Sequence, residues 1–426
     1  MIGGARSEGV TARPQHGRSL VVAVLILYFA CVSVKALHAG WISAWTMVGI
    51  QSIAPNFSDL GLVLQGLDHY RAGTPIAEIQ KKVAYPTLWM WMFAPTRLGE
   101  QDALLLGLIV GGIMTVVTLL FLGRLSLIEG IFTTLLLISP SFMLGIERGN
   151  VDSIVFLIIV FAIWLLSRHA NLVFGAALLI LWAALLKFYP IAAVVAFIKK
   201  QNGWWFLIVS AILFTAYCVL SLDDLRRIAA YPGRDISLSF GSMVSIDRLY
   251  LFQQRYNVRP LSKYWFELAG LASALAVIAI AITFTWRRRL AASLSVNVTG
   301  IGFLAGAAIY LFCFLMGNHY AYRLRWLVLI VPQLLLWIRE RGPAYRRAIA
   351  TAAVLLCSVY TTAWSYGNLR SRFAIPVDFL NWLLFAALVS LLFSAIRTDV
   401  VSVLTQSHLV RYLTSAATTR AARPLE

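Results

Sequence analysis

Three carboxylates, a lysine, three arginines and a histidine interrupt an otherwise apolar chain: Asp59, Glu147, Arg148, Asp152, Lys187, His319, Arg323 and Arg325. Charge at membrane depth is costly and faces water or the protein interior, which makes each a functional candidate. Asp59 follows an amphipathic stretch in Asn56-Phe57-Ser58-Asp59-Leu60, and a carboxylate at the mouth of a cavity there could take a proton from a hydroxyl nucleophile. In Leu186-Lys187-Phe188-Tyr189-Pro190 the proline breaks a helix and leaves Lys187 beside free carbonyls, where it could bind a phosphate as a point charge or simply snorkel. Arg323 and Arg325, in Gly317-Asn318-His319-Tyr320-Ala321-Tyr322-Arg323-Leu324-Arg325, offer fork donors suited to phosphate, and His319 could bind or donate a proton. One of these two arginines is expected to be no more than a headgroup contact. Glu147 or Asp152 could equally pair with Arg148 and do nothing but fix two helices together.

Such residues need a scaffold, and the composition identifies its solvent. A chain of 426 residues that is 60% hydrophobic and 13% charged does not suit a soluble domain. A helix crosses a hydrocarbon core of roughly 30 Å with about 20 apolar residues, and runs 19–37, 103–122, 204–221, 264–286, 297–316 and 378–396 are close to that length. Shorter runs at 131–146, 150–166, 171–186, 190–198, 324–338 and 346–363 read as short or tilted crossings, or as helices broken near a cavity. The expected fold is an all-α polytopic integral membrane protein of about 11–12 transmembrane helices with a long first extracytoplasmic loop. It has a cytoplasmic tail 1–18, one transmembrane domain 19–396 and a cytoplasmic tail 397–426.

Orientation follows from basic linkers at Arg6, Arg13 and Arg18, at Lys199 and Lys200, at Arg287 to Arg289, and at Arg339, Arg341, Arg346 and Arg347, which read as cytoplasmic. They share one side only if residues 171–198 form a hairpin turning near Pro190. Lys and Arg divide evenly when every loop is counted, and the inside excess emerges once the long outer loops 38–102 and 222–263 are set aside. The expected location is a bacterial inner (plasma) membrane, with both termini cytoplasmic and the candidate residues on the extracytoplasmic face.

Loop 38–102 adds Asp68, His69, Tyr70, Arg71 and the stretch Tyr85-Pro86-Thr87-Leu88-Trp89-Met90-Trp91, whose tryptophans fit a helix lying in the interface with its rings at headgroup level. Loop 222–263 carries Asp223, Asp224, Arg226, Arg227, Arg234, Asp235, Asp247 and Arg248 and either covers a site or is a solvated loop. The net charge of +18 is scattered through linkers without a stripe or fold for nucleic acid; anionic headgroups are the natural partner. Cys31, Cys218, Cys313 and Cys357 lie in apolar runs with no metal-ligand spacing and read as small core hydrophobes.

Carboxylates, a lysine, arginines and the rings of Tyr85 and Tyr189 converging on one face suit an anionic phosphate on a lipid tail, carrying a sugar stacked on aromatics. Here the chain resembles glycosyltransferase family 87, the polytopic GT-C transferases that include bacterial α-1,2-mannosyltransferases using polyprenyl-phosphate mannose. The resemblance spans roughly residues 55–335. It is carried by Asp59, His69-Tyr70-Arg71-Ala72-Gly73, Tyr85-Pro86-Thr87-Leu88, Ala94-Pro95, Ser139-Pro140, Gly149-Asn150-Val151-Asp152, Leu185-Leu186-Lys187-Phe188-Tyr189-Pro190, Tyr322-Arg323-Leu324 and Pro332-Gln333. It departs from the family at Thr87, where a second proline is common, and at Glu147-Arg148, where a small or Gln-containing pattern is usual. It implies inverting transfer with Asp59 as general base, the leaving phosphate met by Lys187 and Arg323, and Arg148, Asp152, Tyr85, Tyr189, His319 and Arg325 binding substrate. Mannose is the default donor sugar and the acceptor is a lipid or glycan. No cofactor or metal is expected, because cationic side chains already meet the leaving group. The alternatives are a transporter or flippase for lipid-linked sugars and a polysaccharide polymerase or ligase.

Overall fold

The computed structural model describes residues 16–83, 85–168, 172–200, 203–230, 238–255, 262–364 and 370–406. Arg6, Arg13, Arg234 and Asp235, and the tail beyond 406, lie outside them. Prolines stand at several of the breaks between helices. Helix α1 (His16–Ala39) leads into the long loop expected as the first outer region, which holds α2 (Trp41–Met47), α3 (Ser58–Arg71), α4 (Ile76–Ile79) and α5 (Leu88–Phe93). Helix α6 (Ala103–Leu122) follows, then α7 (Leu127–Leu137) and α8 (Pro140–Glu147), bent by 51° against each other. Pro140 stands in the first turn of α8, where a missing N–H costs no helical bond, and the Ser139 hydroxyl accepts from the Phe142 amide at 3.4 Å.

Helices α9 (Asp152–Arg168) and α10 (Val173–Leu186) precede a 3₁₀ stretch, Tyr189–Lys199, that opens at Pro190. Next come α11 (Gly203–Leu220), α12 (Leu222–Ala230), α13 (Val244–Arg255), α14 (Lys263–Arg287) and α15 (Val298–Leu315). A second 3₁₀ stretch, Ala321–Ile330, runs into α16 (Val331–Glu340), before α17 (Tyr345–Trp364) and α18 (Arg370–Gln406). The described strands are β1 (Ser239–Phe240) and β2 (His319–Tyr320), an antiparallel pair that joins the second outer region to the 319–325 motif.

Seven helical segments among the described residues are long and apolar enough to cross a membrane: His16–Ala39, Glu100–Leu122, Gly203–Leu220, Lys263–Arg287, Val298–Leu315, Ala321–Glu340 and Ile375–Arg397. Counting the bent pair α7–α8 as one span gives eight, which is the coarse architecture of a polytopic membrane protein. Six of the seven coincide with the six long apolar runs. The seventh, expected as the short run 324–338, gains its length from the 3₁₀ stretch, whose rise per residue exceeds that of an α-helix. The remaining short runs fold as α9, α10, the 3₁₀ stretch Tyr189–Lys199 and α17. The chain turns at 187–188: Tyr217, near the end of α11, donates to the Leu185 carbonyl at 3.3 Å, while α11 begins against Phe197 and Lys200. The 3₁₀ stretch therefore runs away from Lys187, as the expected hairpin requires.

Two ends result. At one, the start of α7 meets the end of α16, where Arg339 grips Glu129 with both Nη2 contacts, at 2.7 and 2.8 Å. Arg347 donates to the Ala291 carbonyl at the same end, at 2.7 Å. At the other end lie the first outer helices, the α8–α9 turn, the end of α10 and the 319–325 motif.

Candidate functional site

The site is built on turns that point charges inward. Between α8 and α9 the chain reverses at Gly149, whose φ of +59° is a left-handed conformation that disfavours a side chain. Asn150 then caps α9: its Oδ1 accepts from the Asp152 amide at 2.9 Å, and its Nδ2 donates to Asp59 Oδ2 at 2.5 Å. One buried asparagine thus ties α3 of the first outer region to the start of α9. Phe57, buried, fixes the position of α3: its ring packs against Trp41, with centroids 4.8 Å apart, and against Gly107 and Gly149. The Asp59 amide donates to the Arg148 carbonyl at 3.0 Å, which places Asp59 in the first turn of α3.

Two linked charge clusters follow. In the first, Arg148 lies between Asp59 Oδ1 at 3.5 Å and Glu147 Oε2 at 3.6 Å. Glu147 is fully buried and its Oε1 accepts from Ser52 Oγ at 2.6 Å and Trp41 Nε1 at 3.2 Å. In the second, the fully buried Asp152 holds Lys187 Nζ at 3.1 Å and Arg323 Nε at 3.2 Å. The Lys187 ammonium also lies 4.1 Å from the centre of the Tyr85 ring, and the Arg323 guanidinium 5.1 Å from that of Tyr189, both within cation–π range. Arg323 Nη1 contacts His319 Nδ1.

Asp59, Arg148, Lys187 and Arg323 are the partly open members, with 17%, 14%, 10% and 16% of their side chains exposed. They come from four regions of the chain. Four cations (Arg148, Lys187, Arg323, Arg325) against three carboxylates (Asp59, Glu147, Asp152) leave a surplus of one positive charge, before any charge on His319. An anionic group entering at the exposed edge would be stabilised by that surplus.

Some expected binding residues take other positions. Asp152 has no exposed surface, and its two oxygens meet Lys187 and Arg323. Arg325 is not at headgroup level. It is buried behind the site, with Nη1 on Ser153 Oγ at 2.5 Å and Nε on the Tyr322 carbonyl at 3.0 Å. A Cβ on Gly145 would fall 1.2 Å from its Nη2, so only glycine leaves room for this guanidinium. Trp89 is likewise not an interfacial anchor. It is 2% exposed and its indole donates to the Leu186 carbonyl at 2.9 Å, one of the acceptors freed by the break before Pro190. Trp91 is 61% exposed, because residues two apart point to opposite sides of a helix.

Asp68 is separated from the site by nine residues of α3, about 13 Å along the axis. The Glu100 amide at 2.9 Å and the Arg71 guanidinium at 2.6 Å hold its carboxyl below the usual carboxylate range. The second outer region is anchored rather than loosely solvated. Asp224, buried, accepts from the Thr87 amide at 2.8 Å and the Thr87 hydroxyl at 2.6 Å, and also from Gln80. Arg248 pairs with Asp378 of α18 at 3.5 Å. Sequence reasoning missed the roles of Trp41, Ser52 and Phe57, and named Asp224 without its partners. Only Asn150 carried a local signal, as a polar cap one residue after a glycine. Comparison with family models, with curated proteins and with solved structures returns no match.

Proposed function

We propose that this protein is a membrane glycosyltransferase similar to glycosyltransferase family 87. It would move a hexose, by default mannose, from a polyprenyl-phosphate sugar to a lipid or glycan acceptor on the extracytoplasmic face of a bacterial plasma membrane. The observation that supports this reading is a partly open carboxylate, Asp59, tied through Asn150 to the turn at which another carboxylate, Asp152, holds the cations Lys187 and Arg323. Asp59 takes the acceptor hydroxyl proton as the new glycosidic bond forms. The sugar–phosphate bond breaks on the opposite side, and its electron pair leaves with the phosphate, whose growing charge Lys187 and Arg323 meet. Asp152 keeps both cations in register. Helices α9 and α10, with 17 and 14 residues, rise only about 25 and 21 Å against a core of roughly 30 Å. A cluster at their ends would lie below headgroup level, where water is scarce and a lipid-borne donor has direct access.

The test is transfer of radiolabelled sugar from a panel of polyprenyl-phosphate sugars, wild type against Asp59→Asn at matched amounts of folded protein. Transfer by the wild type that falls about 10²- to 10⁴-fold in the variant is expected for a lost general base. Undiminished transfer by the variant sinks Asp59 as the base, and no transfer from any donor moves the reading to a transporter. Activity regained only on adding Mg²⁺ or Mn²⁺ after chelation would overturn the metal-independent form.

A further inference from the structure

A large cavity of about 890 Å³ lies at the end of the bundle opposite the charge cluster, near the top of the range of roughly 300–1,000 Å³ seen for ligand sites. Its walls come from the second half of α6, the 123–125 turn, α9, the start of α15 and α16, with Val117, Val160 and Leu336 among the apolar residues. Three of its lining residues are cationic, Arg124, Arg168 and Arg339, and none is acidic. Arg339 is already neutralised by Glu129. Among the described residues no carboxylate pairs with Arg124 or Arg168; Arg168 lies over the Trp164 ring, 5.8 Å from its centre. Residues 297–299, the cap and first turn of α15, also line the cavity, as do the last turns of α6 and α9, so the helix ends there oppose one another and the positive field is that of the arginines.

We infer that this groove binds one anionic phospholipid from the leaflet at that end, its phosphate between Arg124 and Arg168 and its acyl chains along the apolar walls. Leu120 and Phe161, which line the groove, are 62% and 50% exposed, so the groove opens past apolar side chains, toward hydrocarbon rather than toward water. Apolar walls disfavour a small hydrated anion. Two unpaired guanidiniums at one rim favour a phosphate over a zwitterionic headgroup, which brings its own cation. This site is independent of the proposed transferase reaction, because it shares no residue with the cluster around Asp152.

The experiment is native mass spectrometry of the full-length protein, delipidated in detergent and titrated with phosphatidylglycerol or phosphatidylcholine. Arg124→Gln/Arg168→Gln is compared with Arg287→Gln/Arg288→Gln, which removes exposed charges from another linker at the same end. The expected result is tight uptake of one phosphatidylglycerol in preference to phosphatidylcholine, weakened about 30-fold in the first double variant and unchanged in the second. Equal uptake of the two lipids by the wild type, or full retention by Arg124→Gln/Arg168→Gln, would overturn the inference. So would displacement of the lipid by inorganic phosphate, or a preference for polyprenyl phosphate over phosphatidylglycerol.

Discussion

The two ends of the bundle use charge in opposite ways. At the site end, Asp152 is fully buried and binds cations from α10 and from the 319–325 motif, while Asn150 links the same turn to Asp59 on α3. At the other end, Arg339, half exposed, donates to both oxygens of the largely buried Glu129, and Arg124 and Arg168 stand exposed at the rim of an apolar groove. Desolvated charges that hold one another make a rigid constellation, and removing one member strands the others. Exposed arginines make a field that a lipid can answer, and each contributes little to folding. The proposed transfer chemistry draws on the first arrangement, and the inferred lipid site on the second.

That contrast can be broken by substitution. Asp152→Ala leaves Lys187 and Arg323, each at least four-fifths buried, without their anion and is expected to cost about 3–5 kcal/mol, read as a large fall in the thermal midpoint of the detergent-solubilised protein. A midpoint close to wild type would mean that water or another group already satisfies the two cations. Gly149→Ala forces a side chain into a left-handed turn and toward Phe57, whose Cβ would lie 2.8 Å from the new Cβ. Its expected cost is about 1–3 kcal/mol; an unchanged midpoint would show that the turn can relax without moving α3. Glu129→Gln, at the opposite end, is expected to cost below about 1 kcal/mol, since half of the Arg339 side chain is solvated. Should Glu129→Gln prove as damaging as Asp152→Ala, the two ends would not differ in the way their geometry implies.

Much of the scaffold was legible in the chain because its signal is local. Runs 103–122 and 264–286 end within one residue of α6 and α14, since twenty apolar residues in succession have few alternatives to a spanning helix. Pro190 marked a real break for the same reason, whereas the break before Pro140 lies inside the run 131–146, which reads as continuous in sequence. The tryptophan stretch was misread at Trp89, because composition reports that indoles are present and not which one a half-turn of helix turns inward. Arg323 and Arg325, two residues apart, read alike in sequence; the fold gives the first an open edge and the second a buried pocket opposite Gly145.

The order of apolar runs, their prolines and the basic linkers determined the sequence-level outcome: a polytopic helical membrane protein with charged residues at helix ends. Which charges meet was decided only in three dimensions. Asp59 and Asn150, or Asp152 and Arg323, are separated by 91 and 171 positions, and no local periodicity encodes such a pairing. It arises because Phe57 packs α3 onto the α8–α9 turn, and because α9, α10 and the stretch after His319 bring their ends to one level. Burial then removes water as an alternative partner, so each charge must find its counterion within the protein.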